Sequence, residues 1–232
     1  MSIRMSPARP SPRSARRRAL DSPRARAFPA ETPRARMLAA AERLVCARGV
    51  DRLTVTAVTA AASVSRTTFY ATFADREDCL LAMFDEVADR VGAAMLAAYG
   101  AESSWLDGVR ASVCELLTLL DREPNLARFL ILGGVSGDSA LVVRRRRALA
   151  DLARSLEADS PDLASQEAAV PFGSEALVSG AASIIHSRLV EDPVPALVDL
   201  AGSLMAMLVL PFVGEGVARG ELLAGLTIHR GR

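Results

Sequence analysis

From Arg34 to the end of the chain the apolar residues recur at helical spacing, and no stretch alternates apolar and polar residues as a half-buried strand would. That single property confines the fold to the all-α class. Met37, Leu38, Ala41, Leu44 and Val45 mark a first helix that stops at Arg48-Gly49, a basic last turn followed by a glycine. Thr54 is placed to cap a short second helix carrying Val55, Val58 and Ala62, and Ser65 a third. Asp75 caps a fourth whose apolar face runs Leu80, Phe84, Val87, Val91 and Met95. Further helices are expected over 105–121, 124–134, 138–158, 173–191 and 195–218, separated by Pro, Gly and Asp breaks. No internal repeat is present, which sets solenoids aside.

Half of the 232 residues are apolar, enough for a substantial core. Net charge is only +1, yet ten of the 28 cations, all arginine, fall in the first 36 residues against Asp21 and Glu31. Residues 1–32, rich in Arg and Pro and poor in large apolar side chains, are expected to form a disordered arm. Such an arm could track DNA through counterion release or be a plain extension. The three cysteines, Cys46, Cys79 and Cys114, are widely spaced and remote from His186 and His229. A zinc site or disulfide framework is therefore not expected, and reduced thiols suit a cytoplasmic protein. The longest uncharged run, 200–214, is shorter than the roughly 20 residues of a membrane span, so no membrane association is expected. No H-E-x-x-H, G-x-S-x-G, P-loop or Rossmann pattern occurs; the chain reads as a non-enzyme with no cofactor.

Aromatics are 4% of the chain, yet Phe69, Tyr70 and Phe73 fall within five residues. On a helix Phe69 and Phe73 share one side and face a core. Thr67, Thr68 and Ala71 point the other way, Arg66 and Tyr70 share one flank, and Thr72 lies on the other. A helix entering a major groove needs this division: small groups toward base edges, an apolar back, flanking donors for phosphate. Two short helices joined through Ala62-Ser63-Val64 make a helix-turn-helix, with Ser63 where the turn needs a positive φ.

Residues 34–84 resemble the DNA-binding domain of the TetR family of bacterial transcriptional regulators. The resemblance rests on Arg48-Gly49, Leu53-Thr54-Val55, Val58, Ala62-Ser63-Val64-Ser65, Thr68-Phe69-Tyr70, Phe73 and Arg76-Glu77 in that order. It implies a helix-turn-helix domain over 33–76 and a helical effector-binding and dimerisation domain over 77–232. It implies phosphate contacts from Thr54, Tyr70 and Arg76, a capping role for Ser65 at the DNA face, and base reading by Arg66, Thr67, Thr68 and Thr72. Thr59 stands where the family usually has Ala.

In such a protein Phe84, Trp105, Cys114, Phe129 and Leu132 would lie around a central pocket for an apolar small-molecule effector. The helices expected over 174–191 and 196–219 are apolar nearly all round and must be buried on all sides, within one chain or between two. Ile184, His186, Leu204, Met205, Leu208 and Phe212 are the residues expected at a homodimer interface. Arg144 to Arg147 wrap a whole helix circumference and read as a solvated patch with acidic partners. The implied function is a homodimeric regulator of a near-palindromic double-stranded operator, most simply a repressor released by its effector. An activator or inducer-independent regulator of the same fold, and more remotely a helical small-molecule-binding protein or enzyme, are the alternatives.

Overall fold

The computed structural model describes residues 32–132, 139–158, 160, 173–191 and 193–230, and every regular element among them is helical. Of the arm expected over 1–32, only Thr32 lies within the described residues. Three short helices come first: α1 (Pro33–Arg48), α2 (Val55–Ala62) and α3 (Arg66–Tyr70). They are followed by α4 (Arg76–Gly100), α5 (Trp105–Arg122), α6 (Pro124–Leu132), α7 (Ser139–Ala158), α8 (Gly173–Leu189) and α9 (Ala201–Arg230). Turns of 3-10 helix occupy Val50–Arg52 and Leu197–Leu200.

The starts are set locally. Thr32, Thr54, Ser65, Asp75 and Ser104 each accept a hydrogen bond from the backbone N–H three residues on, satisfying a first-turn donor with no partner inside its helix. α1 ends where Gly49 turns to φ 78°, and its N–H closes on the Val45 carbonyl. α3 is shorter than its apolar pattern suggests: regular helix stops at Tyr70, and Phe73 is held by turn bonds, its N–H reaching the Phe69 carbonyl at 2.8 Å.

One continuous core runs from Met37 in α1 to Ala218 in α9. α4 joins both halves, packing on α1 near its start and along α5 and α7 beyond. The expected helix over 195–218 is different in the structure. Leu197–Leu200 forms a separate 3-10 turn because the Asp121 carboxylate accepts from the N–H groups of Leu197 and Val198, at 2.8 and 3.0 Å.

α9 then breaks at Gly214 (φ 79°, ψ 173°), a conformation open to glycine and strained for other residues. The chain folds back from there. The backbones of Gly202 and Gly225 come so close that a Cβ on Gly202 would sit 2.8 Å from the Gly225 Cα. On this returning arm Glu221, buried, meets Arg110 of α5 in a two-pronged pair, at 2.9 and 2.6 Å. The segment Leu197–Gly225, mean hydropathy 2.0, has the length and composition of a membrane span, which the uncharged run alone did not suggest. The break at Gly214 and the Glu221–Arg110 pair fit it for packing inside the protein.

Candidate nucleic-acid interface

The helix-turn-helix is built from its own side chains. At the end of α2 Ser63 takes the left-handed conformation, φ 53° and ψ 49°, and the Val64 N–H closes on the Thr59 carbonyl at 3.0 Å. Among the described residues it is the only one other than glycine with positive φ. Ser65 Oγ then accepts from the Thr68 N–H at 3.0 Å and lies 2.8 Å from Thr68 Oγ1. Phe69 and Phe73 are buried behind α3, their rings 5.4 Å apart, and Arg34 of α1 lies over the Phe73 ring at 5.1 Å. α3 is anchored by aromatic packing that leaves its other face open.

On that outer face Ser65, Arg66, Thr67, Tyr70 and Ala71 are exposed, while Thr68 and Thr72 are half-buried. Tyr70 is 50% exposed with its ring edge-on to Phe69, and Arg66 lies over it, its guanidinium donating to the Tyr70 hydroxyl at 3.4 Å. These two donors share a flank, as the helical wheel requires. Several hydroxyls already have partners at home. Thr72 Oγ1 donates to the Thr68 carbonyl at 3.0 Å, and Thr54 Oγ1 accepts from the Ala57 N–H at 3.1 Å. Thr67 is exposed on the face where base edges would lie.

Arg76 is placed differently from a free phosphate-binding cation. Its Nε donates to the Leu53 carbonyl at 2.7 Å, a terminal nitrogen donates to the Val50 carbonyl at 2.9 Å, and the other pairs with Glu77. The guanidinium thus ties the start of α4 to the 3-10 turn just before Thr54. Thr59, whose hydroxyl donates to the Thr56 carbonyl at 3.1 Å, is buried without loss of a hydrogen bond.

Residues 37–83, the stretch that contains this constellation, match the family of bacterial regulatory proteins named for tetR. Its helix-turn-helix is a TetR-family DNA-binding domain. The whole chain also has TetR-type architecture. It is similar to the fatty acid degradation regulator FadR of Bacillus halodurans, with TM-score 0.63, 17% identity and coverage of 77% of this chain and 97% of that one. It is similar to SmeT, the repressor of the Stenotrophomonas maltophilia multidrug efflux pump SmeDEF, with TM-score 0.61, 18% identity and coverage of 81% and 93%. The TetR-family regulator SCO4454 of Streptomyces coelicolor aligns over 93% of this chain and 98% of its own, with TM-score 0.56 and 20% identity. Likeness at such identities is one of fold. None of the curated protein sequences compared with the chain matches it.

The TetR-type body places the remaining expected residues in three groups. Phe84 and Phe129 are buried edge to face, centroids 6.1 Å apart. Trp105 packs instead on Phe212, at 5.1 Å, with its indole N–H on the Leu156 carbonyl, and Leu132 is half-buried at the end of α6. Cys114 faces outward on α5 and is exposed, which separates it from the buried aromatics. The interface assignment is corrected more deeply. Leu204, Met205, Leu208 and Phe212 are all under 9% exposed within one chain, because α9 is wrapped by α5, α8 and its own returning arm. Ile184 and His186 are half-buried on α8.

Two polar residues at the corner between α5 and α6 were not foreseen. Asp121 caps the 3-10 turn that leads into α9, and Asn125 Nδ2 donates to the Cys46 carbonyl at 2.7 Å, within the last turn of α1. A polar residue on each side of the break before Pro124 was a local sign of capping. Their partners, more than 70 residues away in sequence, had no such sign. Nearby, burial and then a hydrogen bond to Glu123 push the Cys46 thiol up to about 11, and burial pushes Cys79 up to about 12. Both stay protonated and unreactive at neutral pH.

Proposed function

We propose that this protein is a cytoplasmic, homodimeric transcriptional repressor that binds a near-palindromic operator and is released by an apolar small-molecule effector. The observation that carries the DNA half of this reading is α3. Its aromatic back is buried, Arg66, Thr67 and Tyr70 stand free, and residues 37–83 match a DNA-binding family. Thr67 and Arg66 reach base edges, with Thr68 and Thr72 beside them; Tyr70 and the first turn of α2 at Thr54 hold phosphate. In a dimer two copies of α3 enter successive major grooves about 34 Å apart. Residues 33–76 form the DNA-binding domain and 77–232 the effector-binding and dimerisation domain.

The effector half is supported by relatives of the same fold. A FadR of Bacillus subtilis was crystallised with stearoyl-CoA and RolR with resorcinol. In this chain the effector would act through α4, which runs from Arg76 at the DNA-binding end to the buried Phe84 and beyond. A ligand that favours one tilt of α4 shifts the population of head spacings. With the central side chains of α9 already buried, a partner subunit would meet Ile184, His186 and the exposed Leu210.

The test is binding of the purified protein to the DNA upstream of its own gene, with sedimentation to fix the stoichiometry. Two chains per operator are expected, Tyr70→Phe should weaken binding to all sequences alike, and Thr67 substitutions should change which sequence is preferred. Binding by a monomer, or Thr67 variants that weaken all sequences equally, would overturn the assignment.

A further inference from the structure

α7 turns one face to the core. Leu141, Ala153 and Leu156 are buried on it, and Leu149 and Leu152 pack against the core cluster. Arg145 stands in the middle of that face, one turn from Leu141 and one from Leu149. Its neighbours in the four-arginine run are accounted for: Arg144 pairs with Asp85 of α4, while Arg146 and Arg147 lie in solvent. Arg145 is half-buried, and among the described residues neither a carboxylate nor a carbonyl accepts from it. Burial alone pushes its pKa down, with no acid opposing the shift.

A desolvated guanidinium with no counter-charge is unfavourable, and an arginine serving only to pack would do as well as methionine. Its planar fork of donors matches carboxylate and phosphate oxygens. The Arg144–Asp85 pair sets the level at which α7 crosses α4, and the residue before Asp85 is Phe84, buried against Phe129. A core-facing cation and an aromatic pair therefore lie at one level of two packed helices, one of which leads to the DNA-binding end.

We propose that Arg145 is the anion-binding residue of the effector site, so that the effector is an amphipathic organic acid: its charged oxygens sit on the guanidinium and its apolar body lies toward Phe84 and Phe129. This rests on the effector reading above and narrows it from any apolar molecule to one carrying an anionic group. Insertion of such a ligand between α7 and α4 supplies Arg145 with its missing partner and bears directly on the helix that carries Arg76.

A matched pair of dyes tests it. 1-Anilinonaphthalene-8-sulfonate and N-phenyl-1-naphthylamine share one ring system and differ in the sulfonate, and Trp105, the only tryptophan, serves as energy-transfer donor to both. Arg145→Met should lower affinity for the sulfonate dye by about tenfold or more, the value of one charged hydrogen bond. It should leave the neutral dye within about twofold, and Arg145→Lys should retain most of the sulfonate preference. Without ligand, Arg145→Met should melt about 2–4 °C higher than the parent, since an unpaired half-buried charge has been removed. Equal loss of both dyes, an unchanged sulfonate affinity, or a lower melting temperature would overturn the proposal while leaving the effector reading intact. If neither dye quenches Trp105 in the parent protein, the apolar effector site itself fails, and the proposal with it.

Discussion

Ser63 and Arg76 show how single residues shape the DNA-binding face. Ser63 holds a left-handed turn normally given to glycine, at a cost of about 1 kcal/mol. Ser63→Gly should therefore stabilise the protein by about 0.5–1 kcal/mol, seen as a melting temperature about 2 °C higher, with DNA affinity unchanged. Ser63→Val, β-branched and poorly tolerated there, should lower it. Arg76 is a sharper case, because a phosphate ligand and an internal brace predict different salt behaviour. With its donors on the Val50 and Leu53 carbonyls, Arg76→Ala should lower stability by about 1–3 kcal/mol through loss of charged hydrogen bonds. It should weaken DNA binding without altering the slope of log affinity against log salt. A slope reduced by about 1 would show instead that Arg76 turns outward to neutralise a phosphate in the complex.

Among the elements, α9 and the α5–α6 corner depart most from their sequence patterns. The apolar residues of α9 were legible as a helix buried on all sides, but not what buries them. Gly214 lets the helix reverse, and Gly202 and Gly225, having no Cβ, let the returning arm lie backbone to backbone with the outgoing one. The apolar girth is thereby satisfied largely inside one chain. The corner is the complementary case, in which polar residues join elements. Asp121→Ala would leave the Leu197 and Val198 N–H groups without their acceptor, at a cost of about 1–3 kcal/mol. Thermal melting should register that loss, and hydrogen exchange should show it concentrated at residues 197–200. Protection unchanged at those amides would mean that water replaces the carboxylate.

At the scale of the whole molecule, α1, α2 and α3 form a small head whose register on the body is held at three places. α4 is continuous between them, Asn125 of α6 holds the end of α1, and Arg90 of α4 pairs with Glu42 of α1. A shift of the body is thus felt by the head through hydrogen bonds as well as through one shared helix, which suits a protein whose two states differ in head position.

The head was legible almost in full from its residues. Caps at Thr54, Ser65 and Asp75, the stop at Gly49 and the aromatic back of α3 are interactions within a few residues of one another, and local chemistry determines them. The sequence by itself thus determined a helical chain with a TetR-type helix-turn-helix. Tertiary structure alone decided that Arg76 faces inward, that Cys114 faces outward, and that Leu204, Met205, Leu208 and Phe212 belong to one chain's core. It alone left Arg145 without a partner. Helical period says which side chains share a face. It cannot say which element covers that face, because the partners lie far along the chain and meet only when the helices pack.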